Sequence, residues 1–137
     1  IWAADRLGKR IKNAYIYRDL LNQNGWLPNG SDFPIEHINP LYGFYAGVAR
    51  KNLEGFPDQG FQTENALSRE QALKAMTIWA AKASFEELSK GSLEPGKNAD
   101  FVVMEDDIMA EPIERVPYIN AQLTFIKGKK VFGALIE

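Results

Sequence analysis

The chain has no cysteine, and among its 137 residues a single histidine, His37. Without thiols there is no disulfide framework, no thiolate metal site and no cysteine nucleophile. One imidazole is too few for a catalytic zinc centre of the usual kind, whose ligands include two or three histidines. No segment approaches the roughly 20 apolar residues that cross a bilayer, and no basic-then-apolar leader precedes a small-residue cleavage site. Neither an anchor nor a signal is visible in this stretch, so the compartment stays open, with the cytoplasm slightly favoured. Charge of one sign is lacking too. The 16 basic and 18 acidic residues are interspersed and sum to −2, which builds no field to gather phosphates, so nucleic acid is not an expected partner. Internal repeats and low-complexity tracts are absent as well.

What remains is the composition of a globular domain, since 45% of the residues are apolar, enough for a core at this length. The chain opens on Ile1 rather than methionine and continues as the inside of a helix, so its start reads as cut. From Arg6 to Asn24, Leu7, Ile11, Ala14, Leu20 and Leu21 recur at near-helical spacing, interrupted around Tyr15 to Tyr17, which predicts two short helices. Asn24-Gly25 stops the second, because glycine accepts the left-handed closing conformation. Trp26-Leu27 is then expected as a short strand ended by Pro28, with Gly30-Ser31-Asp32 at its C-terminal end. Asn39 caps a helix whose first residue is Pro40 and which continues over Leu41 to Arg50.

Residues 51 to 67 form an aperiodic loop with Gly55, Pro57 and Gly60, and Phe56 and Phe61 favour a loop packed on itself. Ser68 with Gln71 makes a capping box ahead of Ala72, Leu73, Met76, Trp79 and Ala80, predicting one helix over about residues 68 to 84. Beyond Lys90 the period becomes that of β-structure. Glu94-Pro95-Gly96-Lys97 reads as a type II turn, Phe101 to Met104 as a strand, and Lys127-Gly128-Lys129 as the turn of a hairpin between Ile119 to Ile126 and Lys130 to Phe132. The change of period near residue 88 is the one candidate domain boundary, dividing the chain into residues 1–88 and 89–137.

Three ordered blocks carry a resemblance. The first is Gly30-Ser31-Asp32-Phe33-Pro34-Ile35-Glu36 with Asn39-Pro40-Leu41. The second is Leu67-Ser68-Arg69-Glu70-Gln71-Ala72-Leu73 with Thr77-Ile78-Trp79-Ala80-Ala81. The third is Lys90-Gly91-Ser92-Leu93-Glu94-Pro95-Gly96-Lys97 with Ala99-Asp100-Phe101. Together they resemble the C-terminal part of amidohydrolase family 3, the branch of the amidohydrolase superfamily that includes N-substituted formamide deformylases. The resemblance implies an α/β fold, a metal-dependent hydrolase (β/α)8 barrel joined to a small β-sandwich as a composite domain. Residues 1–88 would be the last part of that barrel and residues 89–137 the C-terminal strands of the sandwich. It also implies hydrolysis of non-peptide C–N bonds, in amides or cyclic amides, at a divalent metal, zinc by preference. The family's paired histidines and its middle-strand ligands have no counterpart here, so no metal is expected in this chain alone.

Asp32, taken alone, reads as an aspartate capping a turn through its side chain. The resemblance implies instead that Asp32 is catalytic and a metal ligand, taking a proton from the attacking water and passing it to the leaving nitrogen. His37 and Glu36 follow in the loop and read as a hydrogen-bonded or solvated histidine and a surface carboxylate. Tyr15, Tyr17 and Arg18 would lie at the active-site face of such a barrel. Arg18, in a first helical turn where the dipole disfavours a cation, is the candidate substrate-binding residue for an anionic or carbonyl group. Met76 and Trp79 share a face with Leu73 and Ala80 and read as core, and Glu105-Asp106-Asp107 reads as a solvated loop without calcium-ligand spacing.

Three functional readings follow. The chain is the C-terminal part of a hydrolase acting on a small amide-like substrate, inactive by itself; or a non-catalytic relative acting as a binding or assembly module; or one of two pieces that build a barrel together. Unpaired strand edges seek partners, so a homo-oligomer or association with a missing N-terminal part is expected.

Overall fold

The computed structural model describes residues 2–134, with Trp2 described by its backbone only. The expectation drawn from Ile1 lies outside the described residues. Helix α1 (Trp2–Leu7) tightens into a 3-10 turn over Gly8–Asn13, and α2 spans Tyr17–Asn24. The predicted interruption between them contains Tyr15 at φ 60°, a left-handed conformation that no helix can continue through. Gly25 closes α2 at φ 74°, its N–H donating to Leu21 O at 2.7 Å, as the Asn-Gly pair predicted.

Helix α3 (Pro40–Ala49) starts where the cap was read. Asn39 Oδ1 accepts from Leu41 N at 3.0 Å, Pro40 follows, and Arg50 ends the helix at φ 56°. The capping box is present in both directions, Gln71 N donating to Ser68 Oγ and Ser68 N to Gln71 Oε1. The helix it opens is not continuous, however. It breaks at Thr77 (φ −124°, ψ −98°) into α4 (Arg69–Met76) and α5 (Ile78–Ala83). Thr77 Oγ1 donates to Leu73 O at 2.7 Å, a back-bond that bends helices. Gly91 also presses there so closely that a Cβ would lie 2.9 Å from Ile78 Cα.

Trp26-Leu27 is not a strand. Residues 26–30 take no regular structure, and among the described residues no strand lies beside them to complete a ladder. Asn29 N donates instead to Ala75 O at 2.9 Å, which pins this segment to the end of α4. The loop over residues 51–67 is held by its own backbone bonds, including Gly60 N to Pro57 O and Phe61 N to Arg50 O at 2.8 Å. Phe61 packs edge-on against Tyr15, whereas Phe56 remains about half exposed.

The C-terminal third forms the expected antiparallel sheet, in the order β1 (Phe101–Met104), β2 (Ala121–Ile126), β3 (Lys129–Phe132). Phe101 faces Phe125 across the β1–β2 ladder, and their rings stack with centroids 4.5 Å apart. Lys127 and Gly128 both have positive φ, the backbone of a tight hairpin, and Lys127 N donates to Asp100 Oδ1 at 2.7 Å. The type II turn is closed by Lys97 N on Glu94 O, with Gly96 at φ 93°.

The core lies between the helices and the segment before β2. Leu21, Leu41, Phe44, Ala72 and Ala75 pack with Val116 and Ile119, so one cluster joins residues on both sides of residue 88. Trp79 and Met76 pack against it from the edge, as their shared face suggested. Arg69 ties the same halves, its two terminal nitrogens donating to Ile108 O and Glu111 O at 2.5 and 2.6 Å. The fold is α plus β, a helical segment followed by a small antiparallel sheet. The sheet is poorly covered: all four residues of β3 are exposed, and so are Val102 and Val103 of β1.

Candidate functional site

Gly30-Ser31-Asp32 lies at the end of the segment pinned by Asn29. Helix α3 passes close beside it because residue 43 is glycine, where a Cβ would come within 2.9 Å of Asn29 Nδ2. Asp32 has φ 52°, a conformation that aspartate tolerates better than most residues, and its carbonyl accepts from Ile35 N at 2.8 Å. The turn over residues 32–35 is thus closed by the backbone, and the side chain does not cap it. The Asp32 carboxylate is exposed and makes no hydrogen bond among the described residues.

Next to this turn a groove of about 550 Å³ runs between α3 and the loop, with Ser31, Asn29, His37, Tyr17 and Arg50 on its walls and Leu27 and Leu67 among its apolar lining. Asp32 itself stands just outside it. His37 is hydrogen-bonded, as read: Nδ1 accepts from Asn39 N at 3.1 Å, and the ring lies 4.9 Å from that of Tyr42. Glu36 is an exposed carboxylate on the rim.

Arg50 is the cation of the groove. Its Nε donates to Phe61 O at 3.0 Å, and its guanidinium carbon sits 5.2 Å from the Tyr17 ring centroid and 5.8 Å from that of Phe61. Burial lowers its pKa from the ordinary value, while Tyr17 and Glu64 act in the opposite direction. An arginine remains charged at neutral pH under such an influence.

A sequence model of the amidohydrolase family matches residues 1–132. The chain belongs to this family. Amidohydrolase YtcJ of Bacillus subtilis is 31% identical over 132 residues, covering 96% of this chain and 25% of that protein. The protein LONG AFTER FAR-RED 3 of Arabidopsis thaliana is 35% identical over 131 residues, covering 94% of this chain and 22% of its own length. The N-substituted formamide deformylase of Arthrobacter pascens is 30% identical over 111 residues, 81% of this chain and 20% of that enzyme. The crystal structure of an amidohydrolase from Thermotoga maritima shares the fold over 88% of this chain and 26% of its own, with a TM-score of 0.58 and 22% identity. The chain therefore spans a quarter to a fifth of the length of these curated relatives.

Within this family segment the described residues do not by themselves fit a metal. Asp32 offers one carboxylate, and no three histidine, aspartate or glutamate residues among the described ones come together as ligands. Arg18 is engaged inside the chain: its guanidinium donates to Ala66 O and to Gln71 Oε1 at 3.3 Å, and its backbone N donates to Asn65 Oδ1 at 3.1 Å. These bonds tie the start of α2 to the start of α4. The Glu105-Asp106-Asp107 loop is more ordered than a solvated run, since Glu105 Oε2 accepts from both Asn120 N and Nδ2, and Asp106 pairs with Arg115 at 3.0 Å. Arg50 and Asn29 escaped the sequence reading. Arg50 stands at a helix end, where a cation is expected for the dipole alone, and nothing local told of Tyr17 and Phe61 closing on it.

Proposed function

We propose that this chain is the C-terminal part of a metal-dependent amidohydrolase that cleaves non-peptide C–N bonds in a small amide or cyclic amide. The family match over residues 1–132, joined to the small share of each relative that the chain covers, carries this reading. On it, residues 1–88 complete a (β/α)8 barrel and residues 89–137 complete a β-sandwich. The deformylase and an imidazolonepropionase of Picrophilus torridus, 36% identical over 69 residues, supply the substrate class by their names.

Asp32 is the proposed catalytic residue of this segment. An exposed, unbonded carboxylate next to Ser31 of the groove wall is free to accept a proton from water and to return it to a departing nitrogen. A divalent metal such as zinc would supply the acidity of that water, and its other ligands have to come from outside the described residues. Arg18, through Ala66 and Gln71, is proposed to set the position of the loop ahead of α4; any substrate contact by Arg18 would require giving up those bonds.

The reading also implies association. Phe33, Ile35, Phe85 and Leu88 are 61%, 75%, 93% and 88% exposed, which suits surfaces that pack against the remainder of such a barrel or against a second copy. The test is the intact mass and metal content of the natural gene product, followed by Asp32→Asn in that product. A protein several times this length that binds metal, and loses turnover by about 100-fold or more on this substitution without unfolding, supports the reading. A metal-free product of 15.4 kDa sinks it. Light scattering of this chain showing only monomer would remove association with a second copy.

A further inference from the structure

Arg50 has five N–H donors, and only Nε is used: its two terminal nitrogens have no hydrogen-bond or ion-pair partner among the described residues. The side chain is nevertheless held firmly. The Nε bond to Phe61 O fixes the plane of the guanidinium, and the rings of Tyr17 and Phe61 fix its position. A pre-oriented planar fork with spare donors is the arrangement that matches a carboxylate by two parallel N–H···O bonds. The groove it lines also carries the apolar Leu27 and Leu67 and the polar Asn29 and His37.

We propose that this groove is a binding site for a small organic carboxylate with an apolar body, with Arg50 gripping the carboxylate and Leu27 and Leu67 receiving the body. A phosphate suits it less, because the single guanidinium faces a second negative charge with Glu64 acting on it already and Glu36 at the rim. The volume, about 550 Å³, accepts a molecule of the size of a substituted benzoate. The proposal goes beyond the hydrolase reading and does not rest on it, since it needs neither metal nor turnover and uses residues of this chain alone.

The probe is sodium benzoate, titrated into the full 137-residue chain and followed by backbone amide NMR, with benzamide as the uncharged analogue of the same shape. Saturable shifts centred on Gly30, Gly43 and Gly47 are expected with benzoate, and binding of benzamide weaker by about ten-fold or more. Arg50→Met should weaken benzoate to the level of benzamide. Equal binding of the two probes by the unaltered chain, or no saturable shift at the groove, overturns the proposal without reference to any variant. A folded Arg50→Met protein that binds benzoate as tightly as the unaltered chain overturns it too.

Discussion

Asn39 makes two different hydrogen bonds with its side chain, and each can be removed separately. Its Oδ1 accepts from Leu41 N at 3.0 Å as the cap of α3, and its Nδ2 donates to Pro117 O at 3.3 Å, across 78 residues of chain. The orientation of the amide follows from chemistry, since Leu41 N needs an acceptor and Pro117 O a donor. Loss of a cap costs about 1 kcal/mol, within roughly 0.5–2. Loss of a neutral hydrogen bond costs about 0.5–1.5 kcal/mol net. Asn39→Ala should therefore destabilise by about 1–3.5 kcal/mol. Asn39→Asp keeps the capping oxygen but turns a carboxylate towards Pro117 O, so it should cost only the second amount. With a urea dependence of about 2 kcal/mol/M, the alanine variant should melt roughly 1 M earlier and the aspartate variant roughly half as much. Equal losses in the two variants would refute this division of roles. An unchanged midpoint for Asn39→Ala would refute the importance of the cap itself.

Phe44 is fully buried at the centre of the cluster that joins the two halves, so Phe44→Ala should cost about 3–5 kcal/mol and unfold both halves in one transition, read by circular dichroism together with Trp fluorescence. Separate transitions would mean that the halves are held together less tightly than their shared core implies. Gly91→Ala places a Cβ 2.7 Å from that of Ala81 in a backbone with φ 93°, and should lower the urea midpoint by more than a helix-surface substitution such as Lys82→Ala. Glu105 has its pKa lowered from the ordinary 4.5 by the side chain and then the backbone N–H of Asn120. A carboxylate with a depressed folded-state pKa stabilises fully above its unfolded value and loses that contribution as pH falls through the folded one. Acid unfolding of Glu105→Gln should therefore be less steep below about pH 4.5, and an unchanged slope would remove the assignment.

The features legible in the sequence were the ones decided by neighbours along the chain. The Ser68–Gln71 box, the Asn39-Pro40 start and the Gly25 stop each close over a few residues, and each is present in the structure; the hairpin at Lys127-Gly128-Lys129 is present too, with a turn one residue shorter because Lys129 already pairs with Ile126. Trp26-Leu27 failed as a strand for the opposite reason: a strand exists only where another lies beside it, and composition cannot supply the neighbour. Thr77 broke a helix that its periodicity continued, through its own hydroxyl and through Gly91, a residue 14 positions away that presses on the break. The site divided in the same manner. His37 and Glu36 were legible because their loop is local, whereas Arg50 became visible only when α2 and the loop at Phe61 folded over it.

The bare edge of β3 also decides how this protein must be handled. Among the described residues β3 is an edge strand whose Val131 and Phe132 are more than half exposed, a template on which further copies can add, and Lys129 and Lys130 guard it by repulsion. That guard is electrostatic, so it acts over about 10 Å in 0.1 M salt and only about 3 Å in 1 M. Concentrated salt, often chosen to keep proteins in solution, would here silence the two lysines and leave the strand open to fibre growth, so dilute buffer is the safer store.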